Sequence, residues 1–195
     1  MEDVYTREFY TINYIESQDS YKEIQQLIRT IYHDLTGRRL SSVLDVGCAL
    51  GGLLESFGHL DRKTGIDFHR FYSDLKIEKE DYWMLDINKS DFGFTNKFDV
   101  TVCIETAEHL IPEAAERLIT NLCNTSDFIF FSAATVGQGG DAHINERPHE
   151  YWHELFSQNN FRMAEKVGDL LNKSFFWYKD NLFFYRRDYS KKKTL

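Results

Sequence analysis

A short run of carboxylates and one histidine stands near the middle of the chain. Glu105 and Glu108 are three residues apart, and Glu105 and His109 are four apart. At these spacings side chains share one face of a helical turn. Two carboxylates and an imidazole can bind a divalent cation, and an imidazole can accept a proton near neutral pH. The run therefore predicts a metal site or a proton-transfer site, while a purely structural role in a loop stays open.

A second polar segment, residues 133–152, offers partners for that run. It is long for a strand–helix connection, and long loops in compact domains are often functional. The segment holds three glycines, Asp141, Asn145, Arg147 and two histidines, His143 and His149. We expect it to border a substrate site, with His143 as general base. His149 is a further candidate or caps the helix that begins at Pro148.

These two segments give the predicted catalytic and metal residues. The catalytic residues are His143, with Glu105 and His109 in support. The metal ligands, if a metal is used, are Glu105, Glu108, His109 and His143. Magnesium or manganese is favoured over zinc, because oxygen ligands prevail and no cysteine stands nearby.

A buried strand followed by a glycine turn, residues 43–52, predicts a cofactor site. Glycines allow positive φ and a close approach of the backbone to a ligand, and ligands in open parallel sheets lie beyond the strand carboxyl ends. Asp45 ends the strand and would repel a pyrophosphate, but it would attract the ammonium of S-adenosylmethionine. Ala49 stands where the Gly-x-Gly-x-x-Gly dinucleotide pattern needs glycine. A nicotinamide dehydrogenase is therefore disfavoured.

Further carboxylates end the next two strands. Asp67, 20 residues after Gly47, can accept hydrogen bonds from two ribose hydroxyls. Phe68 could flank the adenine, and Asp86 could accept from its amino group or cap a helix from Ile87. The predicted cofactor-binding residues are Asp45, Val46, Gly47, Cys48, Gly51, Asp67, Phe68, Asp86, Ile87 and Ile104.

With these motifs in order, residues 20–187 resemble the class I S-adenosylmethionine-dependent methyltransferases. Val43–Gly51 is similar to their first motif, Asp67 and Asp86 to their second and third, and Phe98–Glu105 to their fourth, which Thr106–Leu110 continues. Ala49 departs from the family, which often has glycine there. The resemblance implies an α/β, three-layer Rossmann-like methyltransferase fold. Its seven-stranded, mostly parallel sheet would have an antiparallel last strand and helices on both faces.

The resemblance implies methyl transfer from S-adenosylmethionine to an oxygen, or less readily a nitrogen, of a small-molecule acceptor. The Glu-x-x-Glu-His run is similar to that of relatives that use magnesium, among them small-RNA 2′-O-methyltransferases and quinone-pathway O-methyltransferases. It also occurs in relatives where no metal is implied. An RNA 2′-O-methyltransferase and a non-catalytic cofactor-binding member therefore remain as alternatives.

Alternating strands and helices must hold these residues on one rim of a sheet. Strands are predicted at Ser42–Val46, Thr64–Ile66, Tyr82–Leu85, Phe98–Ile104, Phe128–Ser132, Phe161–Val167 and Leu182–Arg186. Helices are predicted from Ser20 to Gly37, around Leu53–Phe57, over Arg70–Ile77, over Pro112–Cys123 and from Pro148. We expect residues 1–19 to form a strap or lid, 20–187 a single domain and 188–195 a basic tail.

Composition and charge exclude several classes of protein. The 195 residues carry 23 basic and 31 acidic side chains, a net charge of −8, which argues against a nucleic-acid-binding face. The apolar share of 42% argues against disorder. No apolar run is long enough to span a membrane, and three unpaired cysteines suit a reducing, cytoplasmic compartment. The sequence does not specify an oligomeric state.

Overall fold

A computed structural model describes residues 4–166 and 179–191 of the chain. Within those residues, the helices are α1 Arg7–Glu16, α2 Gln18–Thr36, α3 Gly52–Ser56, α4 Ala115–Thr125 and α5 His149–Gln158. The strands are β1 Ser42–Val46, β2 Arg62–Asp67, β3 Tyr82–Met84, β4 Val100–Cys103, β5 Phe128–Phe131, β6 Phe161–Lys166 and β7 Phe183–Arg187.

All seven strands form one sheet in the order β3-β2-β1-β4-β5-β7-β6. The pairs among β1 to β5 are parallel, whereas β7 is antiparallel to both β5 and β6. The strand order reverses between β1 and β4, so the carboxyl ends of these strands border the crevice where ligands bind in open α/β sheets. The implied mixed, seven-stranded sheet is confirmed.

Helices cover both faces of the sheet, as expected. On one face, α2 and α3 bury Ile24, Ile28 and Leu54 against β1 and β4. On the other face, α4 and α5 bury Leu118 and Trp152. The helix predicted from Ser20 to Gly37 forms as α2. Its buried side chains recur at every fourth position from Ser20 to Tyr32, and it ends at Gly37, whose φ is 68°.

The helix predicted over Arg70–Ile77 is wrong: only a 3₁₀ turn, Tyr72–Asp74, forms there. Backbone amides in this segment bond outside any helical ladder. The N–H of Phe71 donates to His69 Nδ1 at 3.2 Å, and the N–H of Lys76 donates to the carbonyl of Leu50 at 2.8 Å. These bonds fix the segment across the glycine turn instead of winding it into a helix.

The N-terminal segment, for which no helix was predicted, forms α1. Thr6 caps this helix by accepting from the N–H of Phe9 at 3.2 Å. At the other end, residues 188–191 pack on the domain through the Tyr189 hydroxyl, which donates to Asp127 at 2.5 Å. The rest of the predicted basic tail, with Lys192 and Lys193, and the predicted strand end at Val167 lie outside the described residues. Within the described parts of the chain, no helix is both long and apolar enough to cross a membrane.

Candidate functional site

A cavity of about 780 Å³ opens along the carboxyl ends of β1, β2 and β4. Its wall includes the glycine turn after β1, the segment after β4, the loop before α5 and the aromatic face of α1. The two polar clusters predicted from the sequence therefore share one cavity.

The glycine turn packs too tightly for a side chain at its first glycine. Gly47 has φ of +80°, and a Cβ there would lie 2.1 Å from Thr106 Oγ1. Its N–H donates to the carbonyl of Ile66 at 2.8 Å, which holds the turn against β2. Glycine is required here by both backbone angle and space.

Asp45 reaches the cavity from the end of β1 and is only 5% exposed. Burial, with a smaller contribution from the charge of Asp67, raises its pKa from 3.8 to about 7. A cation brought against this carboxylate would reverse that shift, because an opposite charge favours the ionised form.

Asp67 ends β2 with its carboxylate held by three donors. The N–H of Ala49 donates to Oδ2 at 2.9 Å, the N–H of Phe68 to Oδ1 at 2.8 Å, and the Tyr10 hydroxyl to Oδ1 at 3.3 Å. Phe68 is 46% exposed and lines the cavity beside it. The ring of Tyr5 contacts the ring of Phe68 edge-on, with centroids 5.3 Å apart, and the ring of His109, with centroids 6.0 Å apart. Tyr5 therefore lies between the two polar clusters of the cavity.

Asp86 lines the cavity, but its side chain is already engaged. Oδ2 pairs with Lys89 at 2.8 Å, and Oδ1 accepts from the N–H of Asn88 at 3.0 Å. The hydrogen bond from Lys89 is the main reason that the pKa of Asp86 lies below its usual value. Asp86 therefore closes a turn over residues 87–89, and the helix from Ile87 that it could have capped does not form.

Eight of the ten residues predicted to bind the cofactor line the cavity. Val46 and Gly51 do not: both are buried, and Val46 accepts from Thr106 Oγ1 at 3.3 Å through its carbonyl. They shape the turn rather than face the cavity.

The Glu-x-x-Glu-His run forms a short 3₁₀ turn, Ala107–His109, preceded by a strained residue. Glu105 has φ of 47°, an uncommon conformation for a residue with a side chain. Glu108 is fully buried, and neither of its carboxyl oxygens has a hydrogen-bond partner among the described residues. Burial, followed by the charge of Glu105, raises the pKa of Glu108 well above its usual range.

Two imidazoles complete this cluster. One ligand atom each from Glu108, His109 and His143 lie within 4.8 Å of one another, and Glu105 is outside this group although it lines the same cavity. Burial, with a contribution from His143, lowers the pKa of His109 to about 4, so its ring is neutral at physiological pH. The loop docks here because the N–H groups of Ile144 and Asn145 both donate to the carbonyl of Glu108 at 2.9 Å.

His149 is not a lining residue. Its Nε2 lies 2.9 Å from Asn181 Oδ1, and Asn181 donates to Gln138, which donates to Glu105 at 3.3 Å. A carboxylate only accepts, so the amide of Gln138 must present its N–H to Glu105. His149 thus reaches the cavity only through this chain of hydrogen bonds.

Sequence reasoning missed Glu146, whose carboxylate contacts His143, and left residues 1–19, which include Tyr5 and Tyr10, as either a strap or a lid. The signal for Glu146 was its spacing of three residues from His143. Asn181 and Gln138 carried no such signal, because they are 43 residues apart.

No family model matches this sequence, and a comparison with curated proteins gives no significant match. Solved structures do match. A sugar N-methyltransferase, KedS8, from a Streptoalloteichus species is 13% identical, with 92% of each chain covered and a TM-score of 0.69. CalS10, an amino pentose methyltransferase from Micromonospora echinaspora with S-adenosylmethionine bound, is 14% identical over 91% of this chain and 96% of that one, with a TM-score of 0.68.

A third match is the magnesium protoporphyrin IX methyltransferase ChlM of Synechocystis PCC 6803, also with S-adenosylmethionine bound. It is 15% identical over 89% of this chain and 81% of that one, with a TM-score of 0.61. At these identities the likeness concerns the fold: the chain has the Rossmann-like fold of S-adenosylmethionine-dependent methyltransferases.

Proposed function

We propose that this chain is an S-adenosylmethionine-dependent methyltransferase that acts on an oxygen, or less readily a nitrogen, of a small-molecule acceptor. The observation that carries the proposal is the pair Asp45 and Asp67 at the ends of β1 and β2, on either side of the glycine turn. A carboxylate at each position suits an ammonium and a ribose diol, and repels a pyrophosphate.

The charge of the cavity supports the same class of ligand. Six carboxylate residues line it among the described residues, against one lysine, Lys89, which is paired with Asp86. Such a lining opposes the entry of phosphates and carboxylates. It therefore favours a neutral or cationic small acceptor over RNA, in keeping with the sugar and amino pentose named for two of the similar structures.

Calorimetry with S-adenosylhomocysteine tests the cofactor assignment. Asp45→Ala and Gly47→Val are expected to abolish binding. Asp61→Ala, at an exposed position before β2, is the matched control and should bind like the wild type. Unchanged affinity in both cavity variants would falsify the assignment. Binding of NAD by the wild type, in place of S-adenosylhomocysteine, would indicate the dehydrogenase alternative.

Methyl transfer needs little from the protein beyond alignment when the donor is an activated sulfonium. An oxygen nucleophile also needs a base, and the proposed base is His143, which lines the cavity. Glu105 and His109 support it from the segment after β4. Replacement by alanine at His143 should lower turnover on an acceptor panel, followed as S-adenosylhomocysteine release, with cofactor affinity unchanged. Equal turnover would remove His143 from the mechanism.

A divalent metal is compatible with the cluster beside His143. The unpartnered, buried oxygens of Glu108 and two imidazoles fit a cation, and Glu108, His109 and His143 would hold it, with Glu105 adjacent. In that state the ring of His143 would be a ligand and not the base. A bound metal would lower the pKa of an acceptor hydroxyl. Two nitrogen donors suit manganese better than magnesium.

Paramagnetic resonance of Mn²⁺ titrated into the protein tests this metal site. Wild-type protein should bind the ion, Glu108→Gln should not, and the exposed variant Glu113→Gln should bind like wild type. A wild-type protein that leaves Mn²⁺ free in solution would remove the metal from the proposal.

A further inference from the structure

One carboxylate, that of Glu146, holds together the loop that carries the proposed base. Its Oε2 accepts from the N–H of Gly137 at 2.8 Å, and its Oε1 accepts from the N–H of Gly139 at 2.7 Å. The same Oε1 lies 3.0 Å from His143 Nδ1. Three contacts into one side chain tie the glycine-rich start of the loop to its histidine.

The chemistry of a carboxylate fixes the polarity of the contact with His143. An ionised carboxyl group only accepts, so Nδ1 of His143 must carry the hydrogen. In a neutral ring the other nitrogen, Nε2, then has a free lone pair. The side chains of His143 and Glu146 are 11% and 19% exposed, so water competes little for this bond.

Packing fixes the plane of the ring as well. A Cβ on Gly140 would lie 2.5 Å from Cε1 and Nε2 of His143, so only a glycine backbone can pass so close. On another side, the ring of His109 meets that of His143 edge-on, with centroids 4.9 Å apart. His109 has no comparable carboxylate: its Nδ1 lies 3.4 Å from the neutral carbonyl of Ala142.

We propose that Glu146 is a positioning residue that holds His143 as the Nδ1–H tautomer, with Nε2 available to the acceptor. The inference rests on the proposed methyl transfer. As the acceptor oxygen forms its bond to the methyl carbon, the S–C bond breaks and its electron pair stays on sulfur, giving S-adenosylhomocysteine. The acceptor proton passes to Nε2 of His143, and the carboxylate of Glu146 stabilises the resulting imidazolium before the proton leaves to solvent.

Imidazole ¹⁵N spectra of the ligand-free full-length protein test this assignment without an acceptor. The wild-type signals of His143, assigned by comparison with His143→Gln, should show Nδ1 protonated and Nε2 unprotonated. In Glu146→Ala the ring should lose this fixed tautomer. The control Glu150→Ala removes an exposed carboxylate from the next helix and should leave the His143 signals unchanged.

Two results would overturn the inference: a wild-type ring protonated at Nε2, or a His143 spectrum that does not change in Glu146→Ala. The first requires no variant, so it holds even if the alanine variant folds poorly. Affinity for S-adenosylhomocysteine is read separately and should stay within about twofold of wild type in Glu146→Ala, since Glu146 does not line the cavity. Failure of the wild type to bind that ligand contradicts the proposed function and leaves the tautomer result standing.

A kinetic readout separates positioning from stability. On any acceptor that the wild type methylates, Glu146→Ala should lower kcat by at least about tenfold, with the KM for S-adenosylmethionine unchanged. An unchanged kcat, or a loss seen only in that KM, contradicts the inference.

Discussion

The two halves of the cavity differ in how the protein satisfies their carboxylates. In the cofactor half, formed by the glycine turn, Asp45 and Asp67, three donors of the chain hold the Asp67 carboxylate. In the acceptor half, formed by Glu105, Glu108, His109 and His143, both oxygens of Glu108 lack a partner among the described residues. A buried carboxyl group without a partner is costly, and such groups persist where a ligand or a reaction uses them. At Asp67 the cofactor half is preformed, whereas at Glu108 the acceptor half needs a ligand to complete it.

The largest expected effect separates the halves by charge. Asp45→Asn should weaken S-adenosylhomocysteine binding by about 100-fold, because the ammonium loses its carboxylate at short range. Glu108→Gln, the matched change in the acceptor half, should keep the affinity within about twofold. Calorimetry on both variants makes the comparison, and equal losses would show that the halves do not act separately.

The pKa of Asp45 gives the cofactor half a pH dependence. Since that pKa is about 7 in the ligand-free protein, the carboxyl group must lose a proton before it can pair with an ammonium. Affinity for S-adenosylhomocysteine should fall about tenfold for each pH unit below 7. Calorimetry between pH 5 and 8 checks this slope, and Asp45→Asn should show a flat profile. A flat wild-type profile would assign the ammonium to another group.

The same carboxyl group should affect stability with a defined sign. Its pKa is higher in the folded protein than the ordinary value of 3.8, so the folded state holds the proton more tightly. The contribution of Asp45 to the free energy of unfolding therefore falls as pH rises from about 4 to about 7. Asp45→Asn should be more stable than wild type at pH 8 and not at pH 4, measured by urea unfolding. A wild type that is more stable than Asp45→Asn at pH 8 would contradict the raised pKa of Asp45.

The difference between the two halves of the cavity also explains which features the sequence could predict. Strand β1 and its glycine turn are continuous in the chain, and Asp67 stands at the end of the next strand, so hydrophobic runs and glycines locate them. The number of strands and the antiparallel last strand followed from the resemblance. In contrast, Asn181 acts through a contact with Gln138, 43 residues away, and no local pattern encodes that contact. The wrong helix over Arg70–Ile77 has the same cause, since a distant carbonyl, that of Leu50, takes one of its amides.

Helix α1 was not predicted from the sequence, for a related reason. Only one of its residues, Tyr10, is buried, and its aromatic face covers the cavity rather than the apolar core. The apolar stripe that identifies a helix in a sequence was therefore weak. We propose that the described part of residues 1–19 is the lid of the cavity, with the Tyr10 hydroxyl on an Asp67 oxygen that a ribose hydroxyl would use.

A change of one hydroxyl group tests the lid. Tyr10→Phe should raise the affinity for S-adenosylhomocysteine by about threefold, because the ribose no longer displaces a hydrogen bond. Tyr82→Phe is the control: this buried tyrosine donates instead to the carbonyl of His69, at 2.8 Å, and should leave the affinity unchanged. Weaker binding by Tyr10→Phe would show that Tyr10 assists the ribose, and equal binding would show that it does not compete.

The smallest expected effect concerns a feature that the halves share. Ala49 in the cofactor half has φ of 48°, and Glu105 in the acceptor half has φ of 47°. Positive φ suits glycine, and the strain of a side chain there costs about 1 kcal/mol. Glycine also gains freedom in the unfolded chain, which offsets part of this relief.

Ala49→Gly should therefore raise Tm by no more than about 2–4 °C and keep S-adenosylhomocysteine affinity within about twofold. The N–H that Ala49 donates to Asp67 is a backbone group, which the substitution retains. Glu105→Gly should relieve similar strain while removing a cavity carboxylate, so scanning calorimetry on the two variants compares strain alone with strain plus function. A drop in Tm for Ala49→Gly would mean that the turn is not strained at this residue, and that alanine stands there at no cost to the cofactor half.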